Sequence, residues 1–173
     1  IFPLMLILLV LINIFSPEHR YPIFFKQKRT GLYGKTFMCY KFRSMKNNAD
    51  AHTKQATEND PRVTKFGLFL RKSSLDEIPQ FFNVLIGNMS IVGPRPHMLK
   101  HTVEYSTLIE NYLDRHSVKP GITGYAQITG YRGETKELHK MEGRIKRDLW
   151  YIENHSLWLD IKIMFCTPFN IKM

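Results

Sequence analysis

The sequence predicts an α+β fold held against a membrane, with a re-entrant apolar N-terminal helix, a small β-hairpin or sheet region and several amphipathic helices at the interface. Three observations carry this expectation. The first fifteen residues, IFPLMLILLVLINIF, contain no charge. A basic block follows, with thirteen Lys and Arg between His19 and Lys72 against the three acids Asp50, Glu58 and Asp60. Further along, short apolar runs bounded by Gly and Pro alternate with stretches whose apolar residues recur at steps of three and four.

The uncharged run is shorter than the roughly 20 residues needed to span a bilayer, which suits a re-entrant or interfacial segment. The chain begins with Ile, so this segment is expected to be truncated at its start. The cations behind it mark the cytoplasmic side. The expected division is therefore 1–18 in the membrane and 19–173 on the cytoplasmic face, with anionic inner-leaflet lipid as one partner of a chain whose net charge is +10. Cys39 and Cys166 lack metal-site spacing and suit a reducing compartment.

SPEHRYP (16–22) ends the apolar helix. Two strands then flank a turn from Gly31 to Gly34, and alternation in the second sets Met38, Tyr40 and Phe42 on one face and Cys39, Lys41 and Arg43 on the other. One face is expected to be core and the other to present cations. Residues 47–62 read as a loop, and RVTKFGLFLRKS as a partly helical basic approach to SLDEIPQFF. Pro79 inside that stretch argues against a helix capped at Ser74, because a fifth-position proline lacks a needed N–H; the helix should start near Ile78 or Pro79 and close at Gly87-Asn88. MSIVGPRP is a short strand entering a stiff loop. HMLKHTVEYSTLIENYLDRH reads as one amphipathic helix, VKPGITGYAQITGYRGET as turns, and Leu138, Met141, Ile145, Leu149 and Ile152 mark another helix. The closing SLWLDIKIMFCTPF carries Trp158, Phe165 and Phe169, which suit a membrane interface.

The candidate site residues stand where charge is unexpected. Asp76 and Glu77 interrupt an apolar and basic neighbourhood without a capping duty. Lys41, Arg43, Arg71, Arg95 and Arg132 lie in turns or at element ends. Singly each is a surface cation, but Arg95 between two prolines is held in place, and its guanidinium fork suits phosphate. Asp160 reads equally as a charge on a wet helix face or as a carboxylate aimed into a polar site. Asp148 has Arg144 and Arg147 as helical neighbours to pair with. His97 and His101, four apart, lack a third metal ligand and read as a solvated helix face.

FFKQKRTGLYGKTFMCYKFRSM, RVTKFGLFLRKSSLDEIPQFFNVLIGNMSIVGPRP and VKPGITGYAQITGYRGET, in that order, closely resemble the bacterial sugar transferase family, the monotopic phosphoglycosyl transferases. The C-terminal part is most similar to the catalytic domain of undecaprenyl-phosphate glucose phosphotransferases. The resemblance implies an enzyme that moves a sugar-1-phosphate from a UDP-sugar, with glucose first, to undecaprenyl phosphate, releasing UMP and starting exopolysaccharide, capsule, O-antigen or glycoconjugate assembly at the inner membrane. It implies Asp76 as covalent nucleophile, Glu77 with Asp76 at Mg²⁺ (or Mn²⁺), and Lys41, Arg43, Arg71, Arg95, Arg132 and Asp160 around phosphate, nucleotide or metal. SPEHRYP departs from the family's shorter SPGP link, and the first half of its helix-break-helix is absent. A nucleic-acid module would explain the charge alone and leave both the uncharged run and the acidic pair without a reason. A membrane-surface adaptor would not explain Arg95 between prolines.

Overall fold

The computed structural model describes residues 22–46, 56, 57, 60–133 and 137–170, with Pro3, Ile7 and Leu11 in helical conformation ahead of them. The link 16–21, most of the loop 47–59 and the rest of the apolar segment lie outside the described residues, as do the expectations placed on them. No helix among the described residues is long and apolar enough to cross a membrane.

The architecture is α+β, with two small two-stranded sheets among the described residues. Strands β1 (Phe24–Thr30) and β2 (Thr36–Phe42) form an antiparallel hairpin with Gln27 opposite Cys39. Its turn is a 3₁₀ segment, Leu32–Gly34, in which Tyr33 and Gly34 both take positive φ, as the Gly31–Gly34 signal anticipates. Helix α1 (Lys65–Lys72) is N-capped by Thr64, whose Oγ1 accepts from Gly67 N at 2.9 Å. Gly67 is required there for another reason: a Cβ would fall 1.9 Å from Ser44 O. After α2 (Gln80–Leu85) come β3 (Ser90–Val92) and α3 (Leu99–Leu108). Strand β4 (Gly121–Thr123) pairs in parallel with β3. Helices α4 (Tyr125–Ile128), α5 (Leu138–Glu153) and α6 (Leu157–Cys166) complete the order.

Several expectations change. The core face of β2 carries Phe37 and Cys39, while Met38 is 40% exposed; Phe42 is nevertheless buried, because the end of the strand packs onto Leu70 of α1. The hairpin is thus covered on opposite faces at its two ends, which simple alternation does not convey. The helix expected over 97–116 stops at Leu108: Asn111 adopts a left-handed φ of 57°, and a 3₁₀ turn, Tyr112–Ser117, follows. The stretch read as turns holds β4 and α4, since Gly93 and Gly121 let two backbones approach so closely that a Cβ on Gly121 would lie 2.1 Å from Gly93 N. Among the described residues four local clusters make up the core rather than one: Phe42 with Leu70; Phe37, Cys39 and Met89; Ile109, Tyr112, Met141 and Ile145; and Val92, Tyr151 and Ile163. Full burial of each such side chain contributes about 1.5–3 kcal/mol.

Candidate active site

The acidic pair sits on a sharply bent connection. Ser74 follows α1 with φ 58° and ψ 15°, a left-handed conformation rare for a residue with a Cβ, and its side chain caps nothing. The chain then makes one 3₁₀ turn, Leu75–Glu77, and enters α2 with Pro79 at the N-cap, within a residue of the start that the proline dictates. Leu75 and Ile78 pack into the Phe42–Leu70 cluster and anchor the turn, which holds Asp76 and Glu77 at 9% and 8% exposure.

The two neighbours occupy opposite environments. Glu77 is clamped: Lys41 Nζ donates to Oε1 at 2.6 Å, Arg95 Nη2 donates to the same oxygen, and Arg95 Nη1 donates to Oε2 at 3.1 Å. Burial alone would raise its pKa, but Arg95 and Lys41 overcome that and hold the carboxyl well below its ordinary range. Asp76 accepts no hydrogen bond among the described residues. Burial and the charge of Glu77 push its pKa up to about 6, against the pull of Lys41, Arg71 and Arg95. One carboxylate is therefore locked as an anion, while the other is desolvated and unclaimed by donors. Environments that drive a pair apart in this way separate a reactive group from a supporting one.

Lys41 reaches Glu77 because Asn83 fastens β2 to α2: its Nδ2 donates to Met38 O at 2.7 Å and its Oδ1 accepts from Tyr40 N at 3.0 Å. Arg132 enters from the loop after α4, where its Nη2 donates to Ser74 Oγ at 2.6 Å, and burial together with the repulsion of Arg95 lowers its pKa. Four of the anticipated cations, Lys41, Arg71, Arg95 and Arg132, thus surround the acidic turn. Two anticipated residues are placed elsewhere. Arg43 Nε donates to Pro22 O at 2.8 Å and its guanidinium lies over the Phe25 ring. Asp160 accepts from Tyr151 Oη at 2.7 Å and lies 3.2 Å from His155 Nε2, and none of its bonds reaches the dyad.

Asp148 pairs with neither Arg144 nor Arg147 but with Arg115, thirty-three residues away, because the buried face of α5 turns toward the 3₁₀ turn at Tyr112–Ser117. His97 is no solvated helix residue: it is 4% exposed, with Nδ1 2.7 Å from Tyr112 Oη, and burial and Arg115 keep it neutral. Sequence reasoning passed over Arg29, Asn83 and Arg115. The signal available for Arg115 was an Arg in a segment that otherwise reads as an amphipathic helix.

As donors for a metal, Asp76 and Glu77 stand alone, since no group of three His, Cys, Asp or Glu assembles among the described residues. Asp76 has both oxygens free of hydrogen bonds, and Glu77 Oε2 carries a single one. That set fits Mg²⁺, which is commonly held by one or two carboxylates while water and substrate phosphates supply the rest.

The family model for bacterial sugar transferases matches residues 1–172. The chain is 54% identical over 173 residues to the UDP-glucose:undecaprenyl-phosphate glucose-1-phosphate transferase of Xanthomonas campestris pv. campestris, a match that spans 99% of this chain and 35% of that protein. It is 59% identical over 150 residues to the like-named protein of Escherichia coli (strain K12), covering 86% of this chain and 32% of the relative. It is 44% identical over 167 residues, 95% of this chain and 38% of the relative, to the UDP-N-acetylgalactosamine-undecaprenyl-phosphate N-acetylgalactosaminephosphotransferase of Aeromonas hydrophila. The chain spans about a third of the length of these relatives.

Proposed function

The chain belongs to the bacterial sugar transferase family, and we propose that it transfers a sugar-1-phosphate from a UDP-sugar to undecaprenyl phosphate through a covalent intermediate on Asp76. The observation that carries this reading is the contrast between Glu77, held by Lys41 and Arg95, and its desolvated neighbour Asp76 inside a ring of cations. UDP-glucose is the proposed donor, because the two relatives above that are named for it share 54% and 59% of the aligned residues, against 44% for the one named for N-acetylgalactosamine.

In the first step a carboxylate oxygen of Asp76 attacks the sugar-side phosphorus of the diphosphate. A phosphorus–oxygen bond to the aspartate forms, the bond to the bridging oxygen breaks, and the electron pair leaves on UMP. In the second, an oxygen of undecaprenyl phosphate attacks the same phosphorus, the aspartyl bond breaks and the carboxylate is restored, leaving undecaprenyl-diphospho-sugar. Splitting the transfer lets a nucleotide donor and a lipid acceptor use one site in turn. Burial serves Asp76 by stripping its water shell, and the surrounding cations keep it ionised at neutral pH against that burial. Arg95 turns both Nη groups, and Lys41 its ammonium, to the carboxylate of Glu77, and the N–H donors left over on each serve diphosphate oxygens. Arg71 and Arg132 add positive potential at the same turn. Mg²⁺ or Mn²⁺, held by Glu77 and Asp76, supplies further neutralisation of the diphosphate when bound.

Location at the cytoplasmic face of a bacterial inner membrane, on anionic lipid, is part of the same proposal. Its supports are the uncharged run 1–15, the basic block behind it and the exposed apolar side chains of α6, with Leu157 at 73% and Trp158 at 80% exposure. The deciding experiment is intact-mass spectrometry with UDP-glucose and no lipid acceptor. A hexose-phosphate adduct is expected on the wild-type chain and absent from Asp76→Asn; an adduct on the Asn variant removes Asp76 from the chemistry. Full UMP release in EDTA removes the metal.

A further inference from the structure

The loop that presents Arg95 is held at every residue from 93 to 97. Gly93 N donates to Thr123 O at 2.9 Å, and Pro94 O accepts from Gly121 N at 3.0 Å. Arg95 O accepts from Arg115 Nη2 at 2.8 Å, Pro96 O from Arg29 Nη1 at 3.4 Å and His97 O from Thr30 N at 3.2 Å. With prolines at 94 and 96 the loop lacks the N–H groups of a strand ladder, so its carbonyls carry the load. Arg115 is the unusual donor. Its side chain is 1% exposed and is paired with Asp148 at 2.6 Å, itself 2% exposed. Buried ion pairs of this kind can often be replaced by apolar side chains without loss of stability. What an apolar pair cannot do is donate a hydrogen bond to the Arg95 carbonyl.

The same helix performs a parallel task one turn earlier. Arg144 of α5 donates from Nε to Tyr131 O at 3.0 Å and from Nη2 to Gly133 O at 2.8 Å. It thereby grips the main chain on both sides of Arg132, which reaches Ser74 beside the acidic turn. Gly130 and Gly133 have φ of 94° and 96°, so this loop has bends that the clamp must hold.

We propose that Asp148 with Arg115, and Arg144, are positioning residues: one face of α5 sets the main chain under both arginines that meet the acidic turn, Arg95 and Arg132. Their role in the reaction rests on the phosphotransfer reading above.

The test combines rate cycles with structure. Arg115→Met joined to Asp148→Leu removes the charge pair and fills its volume, so the melting temperature should stay near that of wild type while kcat for UMP release falls about tenfold or more. In an Arg95→Ala background the double change should cost little further rate, and in an Arg132→Ala background its full cost should remain. Arg144→Gln should behave in mirror image, losing its effect only when Arg132 is already Ala. Equal losses in both backgrounds, or full activity of the Met/Leu variant, overturn the proposal. If that variant fails to fold, Arg115→Lys replaces it: Nη2 of Arg115 donates both to Asp148 and to the Arg95 carbonyl, and the shorter lysine keeps a charge for Asp148 without spanning both partners. Crystal structures of the variants decide the geometry without any assay: Arg95 displaced from Glu77 is expected, and Arg95 still seated there refutes the positioning role. If the wild-type protein releases no UMP, the reaction reading fails, and the crystal structures still settle whether α5 sets the two arginines.

Discussion

Helix α5 turns charge inward, and α6, the next helix in the chain, turns aromatic rings outward. On α5, Arg144 and Asp148 are 5% and 2% exposed and bonded to distant parts of the chain. On α6 and the turn after it, Trp158, Phe165 and Phe169 are 80%, 74% and 84% exposed. This inverts the usual partition of side chains between interior and surface. Buried charge is costly unless it is paired and hydrogen-bonded, and here it is; exposed aromatic area is unfavourable in water but suited to an apolar medium. The contrast teaches that the interior is organised to hold and balance charge beside the acidic turn, while one edge presents aromatic rings to its surroundings.

The comparison can be broken at its charged end first. Asp76→Asn should reduce turnover by about a thousandfold or more, as loss of a nucleophile does, with UMP release as the measurement. The same change should raise the melting temperature in metal-free buffer at pH 7, because an uncharged amide escapes the cost of burying the carboxylate. The sign follows from linkage. Asp76 has a folded pKa near 6, above its ordinary 3.8, so its contribution to stability is lost as pH rises through that window. Glu77, depressed by Arg95 and Lys41, contributes stability above its ordinary pKa and loses it as pH falls, so Glu77→Gln should lower the melting temperature. Equal shifts for both variants would show that the two carboxylates do not differ.

Asp148→Asn, measured by thermal unfolding, leaves Arg115 without a full counter-charge. Breaking a buried pair costs about 3–5 kcal/mol, or roughly 6–20 °C for a chain of this size. Glu137→Ala removes an exposed pair with Lys140, both side chains 53% exposed, and should cost under about 1 kcal/mol. Similar losses at the two sites would deny that α5 is organised around its interior charges.

Arg95→Lys keeps the charge but loses the fork. The expected drop is about ten- to hundredfold in rate. Because Arg95 also bonds Glu77, the melting temperature should fall with it; a Lys variant as active as wild type would dismiss the fork.

The smallest expected effects lie at the apolar end. Trp158→Ser with Phe165→Ser should reduce retention on membranes washed with high salt, each ring being worth about 1.5–3 kcal/mol when buried. Asp148→Asn should leave retention unchanged, and a loss there instead would merge the two regions that the comparison separates.

The legible part of the fold was local. Pro79 dictates where α2 can begin, and the steps from Leu138 to Ile152 trace α5 within a residue or two. The hairpin turn at Gly31–Gly34 was legible from its glycines. The helix across 97–116 was misread because apolar spacing continues through Asn111, and a single left-handed residue breaks it without altering the pattern. Strand β4 was missed because three residues paired in parallel leave no alternation to detect.

The sequence by itself determined which groups a site could use: an acidic pair set just ahead of a proline, an arginine between two prolines, and cations crowded after an uncharged run. It could not determine who meets whom. Lys41 and Arg95 converge on Glu77 from 36 and 18 residues away, and Arg115 finds Asp148 across 33. Periodicity assigns a side chain to a face, but partners are assigned by packing, through close approaches such as Gly67 on Ser44 and Gly93 on Gly121. Packing also sets how much water each carboxylate loses. Two adjacent acids, alike in the sequence, therefore become chemically unlike only once the chain is folded around them.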